Sequence, residues 1–286
     1  MATLGSVSAG PVTDRQGLLA GCGLFALLLL VVVWSEWRFP GNGRVALLRF
    51  AYPLLALPFM YAAAARTILA LHGRFLDEAV NAWELWLFGA HPNVAVAAIG
   101  SPLLTELLTF CYFSFYGCFL IPIFLYIRGH RALGERYLFA ALLALLICYL
   151  GFMFVPLAGP ALSLPDQFAS GRPSGYVITA LQDRIMAAFD PPGAYFPSPH
   201  VAGAWITLLC LGRFASHRVH LVLCVLTTGL TIAVVYDWYH YASDAVAGLL
   251  VALAAHVITR RLGARGAFES RAVPGPDRVK ADQTLG

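Results

Sequence analysis

Seven long apolar runs, separated by short loops that carry arginine, confine this chain to helices in a membrane. The runs are Leu18–Trp34, Val45–Leu71, Pro102–Ile127, Tyr137–Val155, Ser198–Leu211, Val219–Val235 and Tyr241–Thr259. In hydrocarbon a backbone must satisfy its own N–H and C=O groups, so runs of this kind become helices. At ~1.5 Å per residue Val219–Val235 extends roughly 26 Å, close to the thickness of a bilayer's hydrocarbon. The expected fold class is an all-α integral membrane protein of about seven transmembrane helices. Arg74–Gly89 is different. Its apolar residues, Trp83 and Leu87 among them, recur at helical spacing opposite Asp77, Glu78, Asn81 and Glu84. That pattern belongs to an amphipathic helix lying in the interface.

Composition points the same way. The chain is 59% hydrophobic and 12% charged, where soluble domains carry about 25% charged residues. Its net charge of +4 resides in basic loops and forms no nucleic-acid patch. The six cysteines lie inside apolar runs without CxxC spacing and read as small buried hydrophobes. Arg38 and Arg44 follow the first run where a cleavage site would stand, so that run reads as a retained helix. The expected divisions are a disordered lead over 1–16, two N-terminal transmembrane helices over 17–71, a catalytic membrane domain over 72–260 and a disordered cytoplasmic tail over 261–286.

Arginine placement orients the chain. Alternate loops hold Arg38 and Arg44; Arg128, Arg131 and Arg136; Arg213 and Arg218; and Arg260, Arg261 and Arg265. The opposite loops hold Arg74, Arg172 and Arg184, with more acids. The first set is expected in the cytoplasm. The long 156–197 loop and the 236–241 turn then fall on the outer side, which places His200 and His240 at one depth.

Those two histidines are the candidate chemistry. His240 and Asp244 stand four apart, so on a helix they share a face, and the carboxylate orients the imidazole. Charge at a membrane segment is costly and marks function by default. Ser198-Pro199-His200 reads as a helix start, with Ser198 as N-cap and Pro199 at the first helical position. A helix amino terminus suits a phosphate. One imidazole to attack phosphorus, a second to protonate the leaving oxygen and a carboxylate behind the first are the parts of a phosphoryl transferase.

Pro197-Ser198-Pro199-His200 resembles the second signature of the type 2 phosphatidic acid phosphatase (PAP2) superfamily, usually Pro-Ser-Gly-His. His240-Tyr241-Ala242-Ser243-Asp244 resembles the His-x-x-x-Asp of its third. Phe88-Gly89-Ala90-His91-Pro92, Val155-Pro156-Leu157-Ala158-Gly159-Pro160 and the trailing Asp244–Gly248 are similar to the branch that contains inositol phosphorylceramide synthases. The resemblance covers roughly residues 75–259. It implies that six of the helices form a PAP2-like bundle, that His240 is the nucleophile, Asp244 its orienter and His200 the acid, and that Ser198 binds phosphate. The family's first signature, Lys-x6-Arg-Pro, keeps Arg172-Pro173 but has Pro165 at the lysine position. Val234 stands where an arginine usually precedes the third motif. Positive charge for the phosphate must come from elsewhere, and Arg172, then Arg66, are the candidates. Glu106 is a structural partner open to Arg66.

The expected function is a lipid-phosphate phosphatase or lipid headgroup phosphotransferase working through a phosphohistidine at the extracytoplasmic face. Its partners are a lipid phosphate or phospholipid, the membrane and, for transfer, an alcohol acceptor. No cofactor, metal or nucleic acid is implied. Two other classes stay open: a seven-span zinc-dependent amidase of the ceramidase type, and a non-catalytic family member or lipid transporter.

Overall fold

The structure is a computed structural model that describes residues 15–72, 74–167, 172–189 and 193–265. Among them the chain is helical, with α1 over Arg15–Arg38, α2 over Gly43–His72, α3 over Asp77–Phe88, α4 over Pro92–Ala97 and α5 over Pro102–Phe113. There follow α6 over Phe115–Cys118, α7 over Ile121–Ile127, α8 over Arg131–Phe154, α9 over Pro160–Ser163 and α10 over Val177–Phe189. The chain ends with α11 over Pro199–Leu211, α12 over His217–Tyr236 and α13 over Ala242–Ala264. The expected lead over 1–16 and tail over 261–286 fall mainly outside the described residues.

Four helices in the described residues are long and apolar enough to cross a membrane, within α2, α8, α12 and α13. These mark a membrane protein. The run expected as one helix over Pro102–Ile127 is instead broken, α5 and α6 meeting α7 at 46°. Pro122, which lacks an N–H, sits in the first turn of α7, where its absence costs nothing. The break gives up to five spans in the described residues where the sequence leads one to expect seven.

Helix α11 is short, 13 residues and ~20 Å, less than a bilayer needs. It is nonetheless the centre of the bundle, packed against α8, α12 and α13. Val201, Ala202, Ala204 and Ile206 are buried on it, and Gly203 leaves room for the Phe115 ring, which a Cβ would meet at 2.6 Å. Buried hydroxyls on this core are paired: Tyr137 Oη lies 2.8 Å from Thr207 Oγ1, and Trp205 Nε1 donates to Thr231 Oγ1 at 3.0 Å.

The amphipathic helix expected in the interface is α3, but two acids of its polar face turn inward while Glu78 stays exposed. Asp77 and Glu84 are buried, while Trp83, Trp86 and Phe88 are exposed. With lipid as the surrounding solvent the apolar side belongs outside, and the polar side turns to whatever inside can hydrogen-bond it. Glu84 accepts from the backbone N–H and hydroxyl of Ser243, at 2.7 and 2.8 Å. Asp77 accepts from the amides of Ala158 and Gly159 and from the hydroxyl of Tyr241. Helix α3 is thereby fastened to the start of α13.

Candidate active site

The 236–241 turn reverses the chain within a few residues. Trp238 takes a left-handed conformation, φ 61°, uncommon for a bulky residue. The turn is closed by the His240 amide, which donates to the Val234 carbonyl at 2.8 Å. Asn93, buried at the start of α4, donates its side-chain N–H to the carbonyls of Val235 and His240, at 2.7 and 2.9 Å. His240 therefore lies in the turn, not on the helix expected to begin with it. Its partner is reached differently. Tyr241 is the N-cap of α13, and Asp244, in the first turn, accepts from the Tyr241 amide at 3.0 Å. That capping contact holds the carboxylate back toward the turn, with Oδ2 3.4 Å from His240 Nδ1. The separation is that of an ion pair, longer than a made hydrogen bond.

The second motif takes its expected form. Ser198 caps α11, its hydroxyl accepting from the Val201 amide at 3.3 Å, and Pro199 occupies the first turn. The Ser198 amide donates to the Asp244 carbonyl at 3.0 Å, so the starts of α11 and α13 are joined directly. Gly248 permits this, because a Cβ there would stand 2.5 Å from the Ser198 carbonyl oxygen.

The two histidines meet. His200 Nδ1 is 3.4 Å from His240 Nε2, and the ring centroids are 5.6 Å apart. The far nitrogen of His200 is 2.8 Å from the hydroxyl of Tyr112, which sequence reasoning missed. The Tyr112 ring lies between His200 and Tyr239, at 4.7 and 4.5 Å between centroids. A signal for it exists. Thr105, Thr109 and Tyr112 recur at i, i+4 and i+7 in an apolar run, and all three are buried. Thr105 is 2.8 Å from Tyr236 Oη, and Thr109 donates to Asp237 at 3.3 Å. One face of α5 is thus polar toward the site.

One consistent set of protons along the line Tyr112–His200–His240–Asp244 leaves His240 Nε2 unprotonated. Asp244 faces an N–H on His240 Nδ1, His240 Nε2 keeps its lone pair, and His200 presents Nδ1–H to it. Tyr112 donates to neutral His200 or accepts from it when charged, since a hydroxyl does both. Met186 Sδ, 3.7 Å from the same hydroxyl, takes its proton in the second case.

The other candidates are placed less directly. Ser198 is fully buried and its oxygen is engaged in the cap. Arg172 pairs with Asp183 at 2.9 Å and with the Tyr239 hydroxyl, its guanidinium over the Tyr239 ring at 4.5 Å. It reaches the residue beside His240 and is already bonded there. Arg66 is on α2, but its side chain lies outside the described ones. Glu106 accepts from the amides of Tyr176, Ile178 and Thr179, together with the Thr179 hydroxyl. Asp237, in the same turn as His240, is buried, and burial pushes its carboxyl up to about 7 against the opposing pull of the Arg172 charge.

Among the described residues no group of three or more His, Cys, Asp or Glu side chains is placed to hold a metal ion, so the zinc-amidase alternative finds no ligand set there. No curated protein and no solved structure matches the chain. A family model described as the PAP2 superfamily matches residues 78–258, which include both histidines, Asp244, Ser198, Arg172 and Tyr112. The match covers more than half of the sequence and takes in the whole of the site, so the chain belongs to the PAP2 superfamily.

Proposed function

We propose that this protein is a membrane enzyme that cleaves a lipid phosphate ester through a phosphohistidine at His240, on the extracytoplasmic side. The observation that carries this reading is the pair of imidazoles 3.4 Å apart with a carboxylate behind one and a hydroxyl behind the other. His240 Nε2 attacks phosphorus while Asp244 holds Nδ1–H. The phosphorus–oxygen bond to the lipid alcohol breaks, and its electron pair stays on oxygen, which takes the proton of His200. Water or an alcohol, deprotonated by His200, then attacks phosphorus and breaks the N–P bond. Water gives a phosphatase. An alcohol gives a headgroup transferase, which the likeness of 88–92 and 155–160 to inositol phosphorylceramide synthases favours.

In-line attack sets a ~3–3.5 Å approach to phosphorus, the bond to the leaving oxygen and a ~2.8 Å hydrogen bond end to end, so the two nitrogens must stand more than roughly 6 Å apart. At 3.4 Å they are a resting pair, and substrate separates them. The outward placement rests on the arginine-rich loops. Arg213 and Arg218 lie at the ends of α11 and α12 opposite the histidines.

The test is phosphate release by the purified full-length protein in detergent, from phosphatidate and from polyprenyl phosphate. His240→Ala should remove it, and a radiolabelled phosphoryl group trapped by acid-free quenching should map to His240. Release by His240→Ala equal to that of the parent defeats the nucleophile assignment.

A further inference from the structure

A cavity of about 440 Å³ opens beside the site, within the roughly 300–1,000 Å³ typical of small-ligand pockets. It touches the two histidines unequally, for His200 and Pro199 form part of its wall and His240 does not. The rest of the wall is mainly apolar. Leu57, Pro58 and Ala62 come from α2, Phe119 from the broken α5–α7 segment and Met186 from α10. The side of His240 away from this cavity is polar, with Asp244 and the Tyr241–Asp77 hydrogen bond behind it.

We propose that this cavity seats the hydrocarbon of the alcohol that leaves with the proton of His200. The inference rests on the reading of His200 as the acid. A proton donor must touch the leaving oxygen, and the apolar space begins at that donor. The carbon chain on the leaving oxygen therefore continues into the cavity, and what remains on phosphorus stays by His240. The bond cut is the one between phosphorus and the chain-bearing alcohol, whether the phosphorus carries a second ester or none. The structure also gives α2 a role that the family segment does not contain. Residues 54–62 precede position 78, where the family match begins, yet they supply one wall of the cavity. Helix α2 is held there through α8, with Leu57 buried. Chain length and branching in the substrate are thus read partly by a helix outside the segment that the family match covers.

The experiment compares a long-chain with a short-chain alkyl phosphate on the purified full-length protein in mixed micelles. Ala62→Trp narrows the cavity and should lower the long-to-short ratio of kcat/KM by about tenfold or more, the scale on which an apolar pocket discriminates. Leu55→Trp, on the exposed side of α2, should leave that ratio unchanged. An unchanged ratio in Ala62→Trp overturns the proposal. A long-chain alkyl phosphonate with a photoreactive group at the chain end gives a second reading that needs no turnover and no variant. Its label should fall on the cavity wall, on residues 54–62 together with Phe119 or Met186, and label confined to residues outside that wall overturns the proposal. If the parent hydrolyses neither phosphate, the enzymatic reading fails, and the label still decides whether the cavity holds a chain.

Discussion

At the scale of the residue, Tyr112 is to His200 what Asp244 is to His240, a partner for the nitrogen that does not face the other histidine. Its hydroxyl is 2.8 Å from His200 Nε2, and its ring packs on the imidazole. Tyr112→Phe keeps the ring and removes the bond. A hydrogen bond to a charged group is worth about 1.5–3 kcal/mol, or about 10- to 100-fold in rate. We expect kcat for an alkyl phosphate to fall by that factor. Turnover of p-nitrophenyl phosphate should hold within about threefold, because its leaving oxygen needs little protonation. An equal loss with both substrates would make Tyr112 a packing residue only. Its role was partly legible in the sequence through the spacing of Thr105, Thr109 and Tyr112. What spacing cannot give is the partner, because His200 comes from a helix 88 residues away.

At the scale of the element, two helices are fixed by acids that a sequence reader assigns to water or to arginine. Helix α3 is oriented by Asp77 and Glu84, and α10 by Glu106. The Glu106 carboxylate receives three amides at the start of α10, at 2.7, 2.6 and 3.2 Å. Helix starts leave amides unpaired and favour negative charge, so α5 caps α10 from outside. Helix α10 in turn carries Asp183, the partner of Arg172, and Met186, which touches both Tyr112 and the cavity. Glu106→Ala should hand those amides to water and free the start of α10 to fray. Amide exchange across Val177–Phe189 should then quicken by about 10- to 100-fold, while the amides of α8 keep their protection. Exchange in α10 equal to that of the parent would show that the cap does not hold it. The helical runs, the Ser198 cap and the seat of Pro199 were legible because each is local. The inversion of α3 was not, since period alone says which residues share a face and not which solvent that face meets. The break after α6 and the turn that holds His240 depend on Pro122, Asn93 and Trp238 acting between segments, beyond any single window of sequence.

At the scale of the molecule, the bundle buries four of its acids, Asp77, Glu84, Asp237 and Asp244, beside its apolar core, and this ties its stability to pH. Asp237 is the clearest case. It sits at the end of α12, with one hydroxyl donor at 3.3 Å. Burial raises its carboxyl to about 7 against the Arg172 charge and the Thr109 bond, and Asp183 adds to the rise. Burial also raises Asp77 and Glu84, against hydrogen bonds that favour their ionised forms. An unfolded Asp titrates near ~3.9. Between about pH 4 and 7 the folded chain therefore binds the proton that the unfolded chain has lost. Stability from this group is present below that window, declines as pH rises through it and stays at its lowest above about pH 7. Asp237→Asn keeps the shape and a Thr109 acceptor while removing the charge, and Arg172 retains Asp183. The substitution should raise the apparent melting temperature in detergent at about pH 8 and change it little at about pH 5. The comparison of variant with parent at each pH cancels the contribution of the other titrating groups. A loss of similar size at both pH values would mean that Asp237 is ionised throughout, held so by Arg172. The guanidinium would then be neutralised by Asp183 and Asp237 together, leaving the substrate phosphate to find its positive charge at the starts of α11 and α13.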